Sequence, residues 1–118
     1  MAKQPLGSAT RLSALLGSLA ETVDSRAGGN PEKSYTARLL GSGELRCGKK
    51  IAEEAAELAL AIAAEGRKET ASEAADLIFH VLVGLRAKGV PLDMVADALA
   101  ERRGVSGIAE KASRQTRA

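Results

Sequence analysis

The segment Lys49–His80, KKIAEEAAELALAIAAEGRKETASEAADLIFH, decides the fold class. Its first half places Ile51, Ala55, Leu58 and Ile62 at i, i+4, i+7 and i+11, the stripe of a helix buried along one side and packed in a bundle. This helix is predicted over about Glu44–Glu65 and is ended by Gly66. A second is predicted over about Glu69–Lys88, ended by Gly89. From Leu77 to Leu85 the second helix is apolar nearly all round, which places it at the centre of the assembly, in position to be covered by a second subunit. The linker around Gly66 is so short that the two helices must form an antiparallel hairpin.

Outward from this hairpin the same grammar continues. Ser34 caps a short helix carrying Tyr35, Leu39 and Leu40 that stops at Gly41 and Gly43. Before it, Leu12, Leu15, Leu16, Leu19 and Val23 repeat at helical spacing over about Ser8–Ser25, and the stretch reads as an amphipathic helix rather than a targeting peptide. After the hairpin, Pro91 is expected in the first turn of a fifth helix, with Leu92, Val95, Ala96 and Leu99 facing inward and Arg102 and Arg103 at its end. The tail, about 104–118, is polar and basic, with Val105 and Ile108 to anchor it. Composition agrees with an all-α bundle of about five helices: 23 Ala and 15 Leu stand against 6 Val, 4 Ile and 5 Thr. At 118 residues a single domain over 1–118 is expected.

Charge and cysteine content exclude several function classes. With 17 Lys+Arg against 15 Asp+Glu the net charge is +2, too small for a polycationic nucleic-acid binder. Tyr35 and Phe79 are too few to build a base-stacking platform, so a helical interaction module using the tail cations Lys111, Arg114 and Arg117 has little support. Cys47 has no partner for a disulfide, and with His80 as the single histidine there is no zinc set. A reducing cytoplasm and no membrane partner are expected.

The chemistry lies in the acids. Glu53, Glu54 and Glu57 form EExxE on the third helix, and Glu73 with Asp76 form ExxD on the fourth, with fifteen residues between Glu57 and Glu73. Residues three apart share a helix face, so each helix offers a carboxylate pair, and the hairpin turns the pairs toward each other. Converging carboxylates repel and require a counter-charge. Oxygen-only ligands suit Mg²⁺, or Mn²⁺, over zinc. Glu-rich motifs on Ala-rich helices are also common surface features, and Lys49 and Lys50 can neutralise Glu53 and Glu54; two such motifs on successive helices favour a metal site. His80, one turn beyond Asp76, is expected to hydrogen-bond and orient that carboxylate from behind. Gly43–Lys50, GELRCGKK, matches the GxxxxGK of a phosphate-binding loop, but Lys50 replaces the metal-binding Ser or Thr and no strand precedes it.

These residues resemble the all-α nucleotide pyrophosphatases, the MazG-like superfamily, whose signature is EExxE followed by ExxD on the next helix. Within it, SYTARLL at Ser34–Leu40, KKIAEEAAE at Lys49–Glu57, EAADLIFH at Glu73–His80 and GVSGIAEKASR at Gly104–Arg114 resemble the phosphoribosyl-ATP pyrophosphatase family of histidine biosynthesis, in register over about Arg26–Arg114. The resemblance implies Mg²⁺-dependent hydrolysis of the α,β phosphoanhydride of phosphoribosyl-ATP. Carried over by motif position, Glu54, Glu57, Glu73 and Asp76 would hold the metal, and Glu53 would orient or deprotonate water. Arg38, Lys49 and Lys50 would meet substrate phosphates, with Ser34, Tyr35 and Thr36 touching substrate. Relatives of this fold assemble as dimers or larger bundles, so a homodimer or higher homo-oligomer is expected. The alternative within the superfamily is a house-cleaning nucleoside triphosphate pyrophosphatase of the MazG or dimeric dUTPase type, against which SYTARLL and EKASR argue. Gly48, inside the third helix, departs from the family's usual small or aliphatic residue. No fused zinc-dependent cyclohydrolase is expected, since the Cys and His that such chemistry needs are lacking and the chain is short.

Overall fold

The computed structural model describes residues 3–103, 111, 112, 114 and 115. Five helices follow in order: α1 (Thr10–Arg26), α2 (Tyr35–Gly41), α3 (Glu44–Ala64), α4 (Arg67–Lys88) and α5 (Leu92–Arg102), and the described residues contain no strand. The predicted anchors Val105 and Ile108, and most of Gly104–Arg114, lie outside the described residues.

The helix ends are set locally. The Ser34 hydroxyl accepts the Ala37 N–H at 3.1 Å and starts α2, as its position before Tyr35 predicts. At the other end of the chain's apolar centre, Gly89 takes φ +79°; its N–H bonds the Arg86 carbonyl at 3.1 Å and the Val90 N–H bonds that of Leu85 at 2.9 Å. That pair of bonds closes the last turn of α4 with a glycine because a side chain in this left-handed conformation costs about 1–2 kcal/mol.

α4 is the central helix, packed against α3, α1 and α2. The α3–α4 hairpin is antiparallel: Glu44 reaches Lys88 at 3.6 Å, Ile51 lies against Gly84, and Glu57 meets Glu73. Gly84 permits the close approach, since a β-carbon there would come within 2.7 Å of Ile51 Cδ1. The core gathers Val23, Leu39, Cys47, Leu82 and Val83, with Leu16, Leu19, Leu40 and Phe79 packed on it. Cys47 is buried; burial pushes its thiol above the usual cysteine range, and the S–H is directed at the Leu39 carbonyl, so it is a packing residue.

Two sequence expectations are corrected. The face of α3 turned inward runs through Cys47, Ile51, Glu54, Leu58 and Ala61, not through Ile51, Ala55, Leu58 and Ile62; Ala55 is exposed and Ile62 is 67% exposed. The two stripes share Ile51 and Leu58 and differ by about 50° of rotation, half a residue, and in an Ala-rich helix small side chains mark neither one. Pro91 stands at the N-cap of α5 with extended ψ 154° rather than in the first turn. Leu92 and Leu99 of its predicted inner face are 41% and 63% exposed, because α5 extends past the bundle and only its start flanks α1 and α4.

Gly48 sits on the exposed side of α3, and a β-carbon built there meets nothing within 4 Å. Gly48→Ala is therefore expected to stabilise the protein by about 0.5–1 kcal/mol in urea unfolding, through the lower backbone entropy of the unfolded chain. A loss of stability would show that the glycine serves a local purpose the packing does not reveal.

Candidate active site

The hairpin brings one carboxylate oxygen from each of Glu54, Glu57 and Glu73 within 4.8 Å of one another. The burial is graded: Glu54 is 8% exposed, Glu73 half-buried and Glu57 exposed. Asp76, one turn on from Glu73, lies outside this group and is exposed. Glu53 is not in this group; its side chain is 61% exposed and its carboxylate lies 3.0 Å from Lys50 Nζ. Lys50 also stands 3.6 Å from Glu54, so its ammonium bridges both acids. The hydrogen bond from Lys50 holds the Glu53 carboxyl below the usual carboxylate range and, reciprocally, raises the Lys50 ammonium. Lys49 is exposed and forms no ion pair with these acids, though its charge, like that of Arg46, also lowers the Glu53 carboxyl.

Glu73 Oε2 is buried without a hydrogen-bond partner. A carboxylate with an orphaned oxygen, grouped with two further carboxylates, is costly in the isolated chain, and a cation relieves it. The donor set is oxygen only, and three carboxylates against one ammonium leave room for a divalent ion. The residues therefore fit Mg²⁺ or Mn²⁺.

His80 is placed otherwise than expected. It is 7% exposed, and its Nδ1–H donates to the backbone carbonyl of Asp76 at 2.8 Å, not to that residue's carboxylate. The carbonyl can only accept, so Nδ1 carries the proton; the side chain of a helical residue leans back over the preceding turn, where the i−4 carbonyl is within reach. Nε2 faces Tyr35 Oη at 3.3 Å. Tyr35 stacks on Phe79 with centroids 6.4 Å apart, while His80 meets both rings edge-on. The cluster clamps the start of α2 onto α4 beside the acids. Tyr35 in turn carries the Arg38 guanidinium 5.7 Å above its ring.

Of the remaining predicted residues, Ser34 is engaged as the α2 cap, and Thr36 is half-buried beside it. An open groove of about 610 Å³ adjoins the acids, lined by Tyr35, Arg38, Leu39, Ser42, Arg46 and Lys50. Sequence reasoning passed over Arg46 and Ser42. Arg46 stands one turn before Lys50 on α3, and that i, i+4 spacing was the signal that could have found it. The GxxxxGK segment is the Gly43 N-cap and first turns of α3, with the Cys47 N–H already bonded to the Gly43 carbonyl at 3.1 Å, so it forms no phosphate loop.

Comparison with known proteins finds a family and close relatives. A family model described as phosphoribosyl-ATP pyrophosphohydrolase matches residues 16–103. The chain is 50% identical over 104 residues to a protein of Caulobacter vibrioides named phosphoribosyl-ATP pyrophosphatase, covering 88% of this chain and 96% of that one. It is 48% identical over 97 residues to phosphoribosyl-ATP pyrophosphatase 1 of Rhodopseudomonas palustris, covering 82% and 91%. Over 90 residues it is 52% identical to a histidine biosynthesis bifunctional protein of Wolinella succinogenes, covering 76% of this chain and 39% of that longer one. No described helix is long and apolar enough to cross a membrane.

Proposed function

The chain belongs to the phosphoribosyl-ATP pyrophosphohydrolase family, and on that footing we propose that it hydrolyses phosphoribosyl-ATP to phosphoribosyl-AMP and pyrophosphate, the second step of histidine biosynthesis, with a divalent cation held by Glu54, Glu57, Glu73 and Asp76. The observation that carries the reading is the convergence of the Glu54, Glu57 and Glu73 carboxylates within 4.8 Å across the α3–α4 hairpin.

The reaction adds water at the α-phosphorus and breaks the bond to the β-phosphate's bridging oxygen, which departs on pyrophosphate. Mg²⁺ or Mn²⁺, when bound, neutralises charge on the phosphate oxygens and acidifies water. The chain's own residues do the rest. Glu53, kept ionised by Lys50, is available to orient the attacking water and take its proton. Lys50, on the border between acids and groove, stands where phosphate oxygens would replace its carboxylate partners. Ser34 and Thr36 set the start of α2, and Tyr35 and Arg38 face the substrate side; Lys49 is an exposed cation open to the outer phosphates. His80 acts from behind, through Tyr35 and the Asp76 backbone.

The same reading places the protein in the cytoplasm, as a homodimer or larger homo-oligomer. Leu60 and Ile62 on α3 and Met94 and Leu99 on α5 are 66%, 67%, 58% and 63% exposed, apolar side chains of which a second copy would cover a part.

The deciding assay is pyrophosphate release with Mg²⁺ from phosphoribosyl-ATP, run beside ATP, dUTP and dCTP and repeated with a chelator. Strong preference for phosphoribosyl-ATP, abolished by chelation, is the expected result. Turnover of an ordinary triphosphate in its place would move the chain to the house-cleaning pyrophosphatases, and activity indifferent to chelation would remove the metal from the mechanism.

A further inference from the structure

The groove beside the acids contains more positive charge than the reaction at one anhydride requires. Arg38, Arg46 and Lys50 line it and no carboxylate does. Lys50 is committed to Glu53 and Glu54, but among the described residues no carboxylate lies within ion-pair distance of Arg38 or Arg46. Arg38 is held in place by the Tyr35 ring, itself fixed by Phe79 and His80, so one guanidinium is positioned before any ligand arrives. Two guanidiniums on neighbouring helices, without an ion pair among the described residues and facing one hollow, are suited to pair with the oxygens of a phosphate monoester. The groove's volume of about 610 Å³ is that of a small-molecule site.

The position separates this charge from the carboxylates. Seven residues of α3 lie between Arg46 and Glu54, about 12 Å of helix rise, with Lys50 midway between them. The substrate of the proposed reaction has two anionic ends, the triphosphate and the phosphate monoester of its second ribose, and ATP lacks the second. Resting on that proposed reaction, we infer that Arg38 and Arg46 form a separate site for the 5′-phosphate of the phosphoribosyl arm and thereby select phosphoribosyl-ATP over ordinary ATP.

The test uses Arg46→Gln and Arg38→Gln, with Arg46→Lys as the conservative partner. Arg46→Gln is expected to lower kcat/KM for phosphoribosyl-ATP by about 10–100-fold, mostly as a rise in KM, and Arg46→Lys to recover part of the loss. The readout independent of turnover is competition: ribose 5-phosphate displaces a fluorescent analogue of phosphoribosyl-ATP, which carries both anionic ends, from the unaltered protein, and each glutamine variant weakens that competition about tenfold or more while leaving competition by inorganic pyrophosphate in place. Equal weakening of both competitors would assign the groove to the triphosphate and overturn the inference. So would unchanged kinetics in both glutamine variants, or absence of any ribose 5-phosphate competition in the unaltered protein. Preference of the unaltered protein for an ordinary triphosphate would overturn the reaction itself, and the substrate panel separates that failure from the others.

Discussion

Glu54→Gln is expected to lower Mg²⁺-dependent pyrophosphate release by a hundredfold or more while leaving the fold intact. Glu54 is the most buried of the acids, at 8% exposure, and it is the carboxylate shared between the converging cluster and Lys50. Glutamine preserves its volume and hydrogen-bonding reach but removes the charge that a hard cation requires, and it turns a donor N–H₂ toward the place where the ion would sit. Changes in groups that merely orient metal ligands cost 10–100-fold, so loss of a central ligand belongs at the top of that range or beyond. The measurement is a Mg²⁺ titration of initial rate, with circular dichroism to verify the helices. A variant within a few-fold of the parent at saturating Mg²⁺ would exclude Glu54 as a ligand and with it the assignment of the cluster.

Glu73→Gln should separate stability from activity. Its Oε2 is, among the described residues, the buried side-chain oxygen without a partner, and its carboxylate is grouped with those of Glu54 and Glu57. An amide in its place can donate to either carboxylate and removes one of three like charges, and relief of a buried unsatisfied group is worth about 1–3 kcal/mol. In chelator the variant is therefore expected to melt several degrees above the parent, at roughly 4 °C per kcal/mol for a domain of this size. Addition of Mg²⁺ should reverse the order, because only the parent gains stability by binding the ion. Pyrophosphate release should fall with the lost Mg²⁺ response. If the variant melts below the parent in chelator, or if both respond to Mg²⁺ alike, the orphaned oxygen is not a metal ligand.

How far the sequence could be read differs along the chain for a physical reason. The cap at Ser34 and the glycine stop at Gly89 were legible because a cap is a bond between residues three to five apart, settled before any tertiary contact forms. The pairing of EExxE with ExxD was legible because a two-residue link between long helices admits only a hairpin. The rotation of α3 was not. With Ala at 52, 55, 56 and 59, one register reads as apolar as the next, and the choice that buries Glu54 follows from how α3 meets α4 at Gly84. The direction of His80 escaped as well, since both the Asp76 carboxylate and its carbonyl lie one turn away and only packing against Tyr35 and Phe79 selects between them.

By itself, then, the sequence determined the elements and the chemistry: helices cut by Gly and Pro, a core of small aliphatic residues, and acids spaced to share helix faces. Those properties depend on backbone propensity and on neighbours within a turn. The tertiary structure alone decided which acids converge and which stays with Lys50, that Asp76 remains outside the group, and that Arg38 of α2 and Arg46 of α3 border one groove. Each of those depends on the relative rotation and approach of whole helices, which many side chains determine together and no single spacing encodes.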